Sequence, residues 1–231
     1  MTKALIEQLK ARCLDGAGLD QTEIVTLLAL DPASEDCLAL RRAAHEAARI
    51  ITKGRAYLWG AIGVDFAPCA MNCDFCSFGA SWRLVKKPFV LSEVEILAQV
   101  KHYVSHGVHF IVLRTTEFFD VNALQKLARK IKREVEGPYE LIFNIGDFGF
   151  ETAQAIVETG VDGIYHALRL REGQHTRFNP LKRLETLNAV RKSPLKLIHL
   201  VEPIGPEHSD IELADLFLNA MDYDIAIGGA M

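Results

Sequence analysis

Six short apolar stretches, each separated from the next by a segment long enough for a helix, constrain this chain more than any other feature. They read "AYLWGAIGV", "VHFIVLR", "YELIFNIG", "VDGIYHAL", "LKLIHLVE" and "YDIAIGG". Strands written as near-continuous apolar runs are buried on both faces, and helix-length crossovers between them call for parallel neighbours. The segments between them, residues 93–107, 121–137, 150–160, 180–193 and 210–221, carry apolar residues at helical spacing. The expected fold is therefore α/β, with about six parallel β/α units. An open doubly wound sheet fits this alternation too. A curved barrel fits it better, because polar residues recur just past the strands: Glu117, Asp147, Arg169, Glu172 and Glu202. Binding groups gathered on the carboxyl rim are the usual arrangement of a β/α barrel. Six units fall short of eight, and the sequence stops at "DIAIGGAM". The expectation is a partial barrel covered by something else, or a sequence truncated before its last units.

Residues 1–54 read differently. "TKALIEQLKARCL" has helical spacing and is stopped by "DGAG". Asp20 is placed to cap a second helix, with Glu23 at the reciprocal capping position. A third, longer helix runs through "DPASEDCLALRRAAHEAARIITKG" and ends at Gly54. Residues 1–54 are expected to form a helical extension and residues 55–231 the barrel core.

Composition excludes several classes. Of 231 residues, 26 are basic and 30 acidic, a formal charge of -4 that gives no reason to expect a nucleic-acid partner. The hydrophobic share is 49%, too high for a disordered chain. The start lacks the pattern of a signal peptide, and no apolar run approaches the ~20 residues that span a bilayer. The expected setting is the cytoplasm, with no membrane contact.

Five cysteines are present. Cys13 and Cys37 sit in helical apolar patterns and are expected to pack as small hydrophobes. The other three, Cys69, Cys73 and Cys76, crowd into "FAPCAMNCDFCSFG", just past the first strand. An odd, clustered set is a poor disulfide framework. Three thiolates and one histidine can hold zinc, but no histidine lies in the loop and no second knuckle follows. A [4Fe-4S] cluster takes one ligand per iron, so three cysteines cover three irons and leave the fourth open. The spacing favours the cluster, with zinc or structural thiols as the alternatives.

"CAMNCDFC" has the form CxxxCxxC and resembles the signature of radical S-adenosylmethionine enzymes. The helical preface, including "LDQTEIVTLLAL", resembles the biotin synthase-like branch, which includes hydrogenase maturases and methylornithine synthases. The resemblance implies a partial TIM barrel, a [4Fe-4S] cluster on Cys69, Cys73 and Cys76, and S-adenosyl-L-methionine on the open iron. It implies reductive cleavage to a 5'-deoxyadenosyl radical that abstracts a substrate hydrogen, an external one-electron reductant, a small-molecule substrate and sensitivity to oxygen. It places Phe75, the aromatic before the last cysteine, beside the cofactor. In "LRTTEFFD", Thr115, Thr116 and Glu117 stand where relatives often carry Gly-Gly-Glu, which marks Thr116 and Glu117 as ligands of the cofactor's amino group. In "FNIGD", Asn144 and Asp147 are candidates for ribose, cofactor amino acid or substrate. In "HALRLREGQHTRF", Arg169 is a candidate for the cofactor carboxylate and Glu172 for its polar groups. The acid is one residue further from the arginine than in those relatives, so Arg171 competes. Glu202 is a candidate for substrate or ribose, His208 for substrate, and Gly228 and Gly229 for the adenine edge. His199 is expected in the core. His102 and His106 lack the glutamate of a zinc HExxH helix and are expected on a crossover helix face. The basic "RLVKKP" loop is expected to be solvated.

Sulfur insertion needs a second cluster fed by later cysteines, and there is none after Cys76. The expected reaction is instead a rearrangement or cleavage of a small polar substrate in cofactor or amino-acid biosynthesis. A radical enzyme of metallocofactor assembly and a noncatalytic or truncated iron-sulfur protein are the alternatives. A protein partner covering the open barrel is also expected.

Overall fold

The structure is a computed structural model and describes residues 3–231. Its contacts divide the chain into two units. One comprises the described residues up to Ala56 together with Gly205–Leu218, and the other Tyr57–Ile204 with Asn219–Met231.

The first unit contains α1 (Lys3–Leu14), α2 (Gln21–Leu28) and α3 (Glu35–Thr52). Asp20 caps α2: its carboxylate accepts from the Glu23 N–H, and the Glu23 side chain accepts from the Asp20 N–H. α3 starts four residues later than its sequence pattern suggests. Asp31 instead closes a turn by accepting from the Ala33 N–H, and Ser34 caps the helix. Lys53 and Gly54 both take positive φ and end it, with the Gly54 N–H donating to the Arg49 carbonyl. Ile6, Leu9, Ile24 and Ala43 are buried in this unit.

The second unit is built on β1 (Leu58–Gly63), followed by a small pair, β2 (Asp65–Phe66) and β3 (Phe89–Val90). Helix α4 (Glu93–Ser105) then leads to β4 (Val108–Arg114), α5 (Val121–Glu134) to β5 (Glu140–Asn144), and α6 (Phe150–Val157) to β6 (Gly163–Tyr165). Helix α7 (Pro180–Arg191) leads to β7 (Lys196–Val201), and β8 (Ile225–Ala230) follows α8 (Asp210–Met221), most of which belongs to the first unit. The large sheet has the order β1-β4-β5-β6-β7-β8 and every pair is parallel. This is a partial barrel of six parallel strands, in the sequential order the alternating pattern predicts. The antiparallel β2–β3 pair is additional: two residues per strand are too few to leave a periodic signal.

The period of two along each strand decides what the two faces do. Ile62, Ile111, Leu113, Leu141, Phe143, Ile164 and Leu197 pack outward with Ile96, Leu124, Ile131, Ile156 and Val190 of the helices, forming the main core. Val112, Ile142, Tyr165 and Ile198 form a separate cluster on the inner face, with Phe110, Leu200 and Ile227 against it. Burying one large aliphatic side chain contributes roughly 1.5–3 kcal/mol, so the outer layer is what fixes the strands. The inner face is then free to carry polar groups toward the strand ends. Among the described residues, no helix is long and apolar enough to cross a membrane.

Candidate functional site

The cysteine loop hangs from the end of β1 and is pinched at its base by the β2–β3 pair. Inside it, backbone bonds substitute for regular structure. The Cys69 N–H donates to the Phe78 carbonyl at 2.7 Å, and the Ala80 N–H returns a bond to the Cys69 carbonyl at 2.9 Å. The Gly79 N–H donates to the Cys76 carbonyl, and the Trp82 indole N–H reaches the Cys73 carbonyl at 3.4 Å. Asn72 sits at φ 45°, and its side-chain oxygen accepts from the Ser81 N–H. A second loop, between β6 and α7, clamps this one from outside. The Asp74 N–H donates to the His175 carbonyl, the Arg177 N–H to the Met71 carbonyl, and the Asp74 carboxylate meets the His175 ring at 2.9 Å.

All three loop thiols are free and line one cavity of about 480 Å³ in the second unit. Burial pushes the Cys73 thiol up to about 11, against the pull of the Arg169 charge. Cys13 and Cys37 lie on α1 and α3 in the other unit. Asp65, Thr116, Glu117, Asn144, Arg169 and Arg183 also line the cavity. Thr116 is held by Asp65, which accepts from both its N–H and its hydroxyl. Glu117 accepts from the Asp147 N–H at 3.1 Å, and burial raises its pKa, assisted by the nearby Asp147 charge. Asn144, at the end of β5, accepts from the Arg114 Nε–H and donates to the Tyr165 carbonyl, which fixes its amide orientation.

Behind this wall lies a charge network. Arg169 donates through Nε to Glu202 at 3.1 Å, and its backbone N–H donates to Glu172. Burial opposes the Arg169 charge, but Glu172 and Glu202 outweigh it and raise its pKa. Glu202, only 5% exposed, also accepts from the Tyr165 hydroxyl. Glu172, 8% exposed, accepts from Thr176 and faces both arginines. The two glutamates anticipated as cofactor contacts therefore stand behind Arg169, outside the cavity lining. Asp147 likewise turns to Arg183, accepting from Nη1 at 2.9 Å, and to His166. Phe75 is 43% exposed, outside the lining, with the Arg169 guanidinium 5.9 Å from its ring centre.

Arg183 and Phe178 are site residues that motif reading missed. Arg183 is 3% exposed and donates to the Ala167 carbonyl, with burial and the nearby Arg169 lowering its pKa. Phe178 lies 4.8 Å from the Arg183 guanidinium and 5.6 Å from that of Arg169. A signal existed: Arg183, Thr186, Leu187 and Val190 share the buried stripe of α7, at spacings of three, four and seven. His199 is buried as expected, accepting from the Leu168 N–H. His208 accepts from the Gly205 N–H and is not part of the cavity.

Among the described residues, no three His, Cys, Asp or Glu side chains are gathered as a site for a metal ion. A single zinc would draw its thiolates onto one centre, whereas a four-iron cluster spreads them over separate irons. The donor set fits the cluster: three thiols and no fourth sulfur or imidazole line the cavity. Arg169 and Arg183 line the cavity beside the thiols, while Arg169 Nη1 and Arg183 Nε, buried without a hydrogen bond, each lie 3.5 Å from Glu172 Oε2 behind it.

The fold and this rim define a parallel β/α enzyme scaffold with a cysteine loop on its first strand. The family description "Radical SAM superfamily" matches residues 66–218, more than half of the chain, and the chain belongs to that superfamily of enzymes. No curated protein matches it in sequence. Among solved structures, it is similar to methylornithine synthase (PylB), with 20% identity and a TM-score of 0.78 over 96% of this chain and 67% of that one. It is also similar to HydG, a maturase of the [FeFe]-hydrogenase, with 16% identity and a TM-score of 0.75 over 96% of this chain and 52% of that one. For HydG from Carboxydothermus hydrogenoformans the values are 18% and 0.72, over 99% and 56%. The chain thus spans about half to two-thirds of the length of these structures, and at such identities the likeness is one of fold.

Proposed function

We propose that this protein is a radical S-adenosylmethionine enzyme of the biotin synthase-like branch. Cys69, Cys73 and Cys76 would hold a [4Fe-4S] cluster, with S-adenosylmethionine on the iron they leave open. The observation that carries the reading is the convergence of three thiols, Glu117, Thr116 and Arg169 on one cavity. When bound and reduced by an external one-electron donor, the cluster supplies the electron that cleaves S-adenosylmethionine to the 5'-deoxyadenosyl radical. Arg169 and Arg183 line the cavity and offer guanidinium groups to a carboxylate. Glu117 offers an acceptor to an ammonium, and the Thr116 hydroxyl is already committed to Asp65. Asn144 orients what lies at the strand ends. Glu172 and Glu202 act through Arg169, fixing its position and offsetting its charge.

In this reading residues 55–231 form the catalytic core and residues 1–54 a helical extension. The protein is cytoplasmic and oxygen-sensitive, and a partner covers the open side of the barrel. The reaction is hydrogen abstraction followed by rearrangement or cleavage of a small polar molecule in cofactor or amino-acid biosynthesis. Anaerobic reconstitution tests this. About four irons per chain are expected, with 5'-deoxyadenosine formed on reduction with S-adenosylmethionine. Iron uptake by folded protein without 5'-deoxyadenosine would leave a noncatalytic iron-sulfur protein, and zinc without iron would remove both readings.

A further inference from the structure

The inner face of the sheet holds a second cavity, of about 230 Å³, below the cysteine-lined one. Its walls are Trp59, Val112, Ile198, Leu200 and Ile227, and Tyr165 and Arg114 are the polar side chains among its lining. Arg114 also lines the upper cavity, so its guanidinium stands where the two meet. In register it is flanked by Gly63 on β1 and Asn144 on β5. Gly63 contributes no side chain, and a Cβ built there would meet nothing within 4 Å. Asn144 takes only Nε of Arg114, at 3.2 Å. Arg114 is exposed at the end of β4, and its two terminal nitrogens have no hydrogen-bond or ion-pair partner among the described residues. No side-chain carboxylate lines the lower cavity, whose lining also includes Ala61 and the last residue, Met231, and Tyr165, the other polar side chain, commits its hydroxyl to Glu202.

We infer that Arg114 selects the substrate, which carries one anionic group held by the terminal nitrogens and an apolar body lying against Trp59, Val112, Ile198 and Ile227. The proposal rests on the radical-enzyme reading and narrows it: the substrate is an organic acid with a hydrocarbon or aromatic remainder, in place of a compound with a second charged end. A planar guanidinium presents two parallel donors that suit a carboxylate or a phosphate equally. An ammonium in the lower cavity would meet the like charge of Arg114 and no side-chain carboxylate, and is disfavoured.

Probe binding to the purified chain tests this without the cluster, followed by tryptophan fluorescence. Trp59 and Trp82 are the only tryptophans in the sequence, and Trp59→Phe identifies the signal that arises from the cavity. The wild type is expected to bind hexanoate about tenfold or more tightly than hexanamide, the difference expected for losing a charge-assisted pair. It should not bind hexylamine. 6-Aminohexanoate should bind more weakly than hexanoate, and comparison with hexyl phosphate distinguishes the two anionic heads. Arg114→Gln should bring hexanoate down to the level of hexanamide and leave hexanamide unchanged, while Arg114→Lys should fall between. Equal binding of acid and amide, preference for an amine, an unaltered Arg114→Gln, or no binding of any probe would each overturn the proposal. Iron content and 5'-deoxyadenosine formation are read on the same preparations, so failure of the radical-enzyme reading is seen separately.

Discussion

Asp65 holds Thr116 with both carboxylate oxygens, one accepting from the backbone N–H at 2.7 Å and the other from the side-chain hydroxyl. Fifty-one residues of sequence separate them, and Asp65 is only 6% exposed. The bond joins the base of the cysteine loop to the loop after β4, so the two walls of the cavity move as one. Each charge-assisted bond contributes about 1.5–3 kcal/mol. Asp65→Ala, which loses both, is expected to cost more than Thr116→Ala, which loses one, and both should lower cofactor cleavage. Urea unfolding measures the difference. Equal costs for the two variants would show that Asp65 does not organise this loop.

The five cysteines should separate into two groups. Cys69→Ala, Cys73→Ala and Cys76→Ala each remove a proposed cluster ligand and are expected to abolish both the brown iron chromophore and 5'-deoxyadenosine formation. Cys13→Ala and Cys37→Ala lie on the helices of the other unit and should change stability by about 1 kcal/mol with iron content intact. Iron analysis after anaerobic reconstitution decides. Retention of a full cluster in any of the first three variants would place the cluster elsewhere.

Much of this architecture was legible in the sequence because it repeats. Six apolar runs with helix-length spacers leave few options, and all six strands and five crossover helices lie where the pattern puts them. The thiol loop was legible because its spacing is local. The network behind it was not, since it is made by residues distant in sequence: Arg169 with Glu202, and Arg183 with Asp147. The resemblance made Glu172 a candidate for the cofactor's polar groups, and its place after the fifth strand made Glu202 a candidate for substrate or ribose. Once two arginines are buried beside them, however, the acids are drawn to those charges. Asp65 was passed over because a lone aspartate beside a turn carries no pattern.

The Arg169–Glu202 pair should behave as a buried ion pair. Glu202→Met leaves Arg169 with Glu172 as its remaining counter-charge and is expected to cost about 3 kcal/mol. Arg169→Met leaves the buried Glu202 charge with only the neutral Tyr165 hydroxyl and should cost more, up to about 5 kcal/mol. The double variant should be less destabilised than the sum of the singles, with a coupling of about 1–3 kcal/mol by double-mutant cycle. Simple additivity would mean that Glu172 alone neutralises Arg169.

Stability should fall in mild acid through His199. Burial, then the charges of Arg183 and Arg169, lower its pKa from the ordinary 6.5 to about 4. Between those values the unfolded chain binds a proton that the folded chain refuses, so stability is full above about pH 6.5 and declines toward pH 4. The full shift corresponds to about 3 kcal/mol, as an upper bound. His166 is buried and lowered in the same direction, while Glu117 and Asp147, raised by burial, bend the profile the other way. The useful quantity is therefore the difference between wild type and His199→Gln, whose amide oxygen can still accept from the Leu168 N–H. The wild type should lose about 2–3 kcal/mol relative to the variant between pH 7 and pH 4. Parallel profiles would show that the imidazole titrates alike in both states.

Gly146 is needed for a close approach, which its place in "FNIGD" only hints at. Its φ is not among the positive values, so left-handed backbone is not the reason for glycine. A Cβ at this position would lie 2.4 Å from the Glu117 carbonyl oxygen and 2.8 Å from its carboxyl carbon. Backbone cannot yield as a flexible side chain can, so Gly146→Ala must push the β4 and β5 loops apart. Overpacking of this kind costs about 1–3 kcal/mol. It should also break the Asp147 N–H bond to Glu117 and displace the acceptor proposed for the cofactor's ammonium. Cofactor cleavage should therefore drop further in Gly146→Ala than in Gly149→Ala, where the added methyl would meet nothing within 4 Å. Equal activity and stability in these two variants would separate Glu117 from the chemistry of the site.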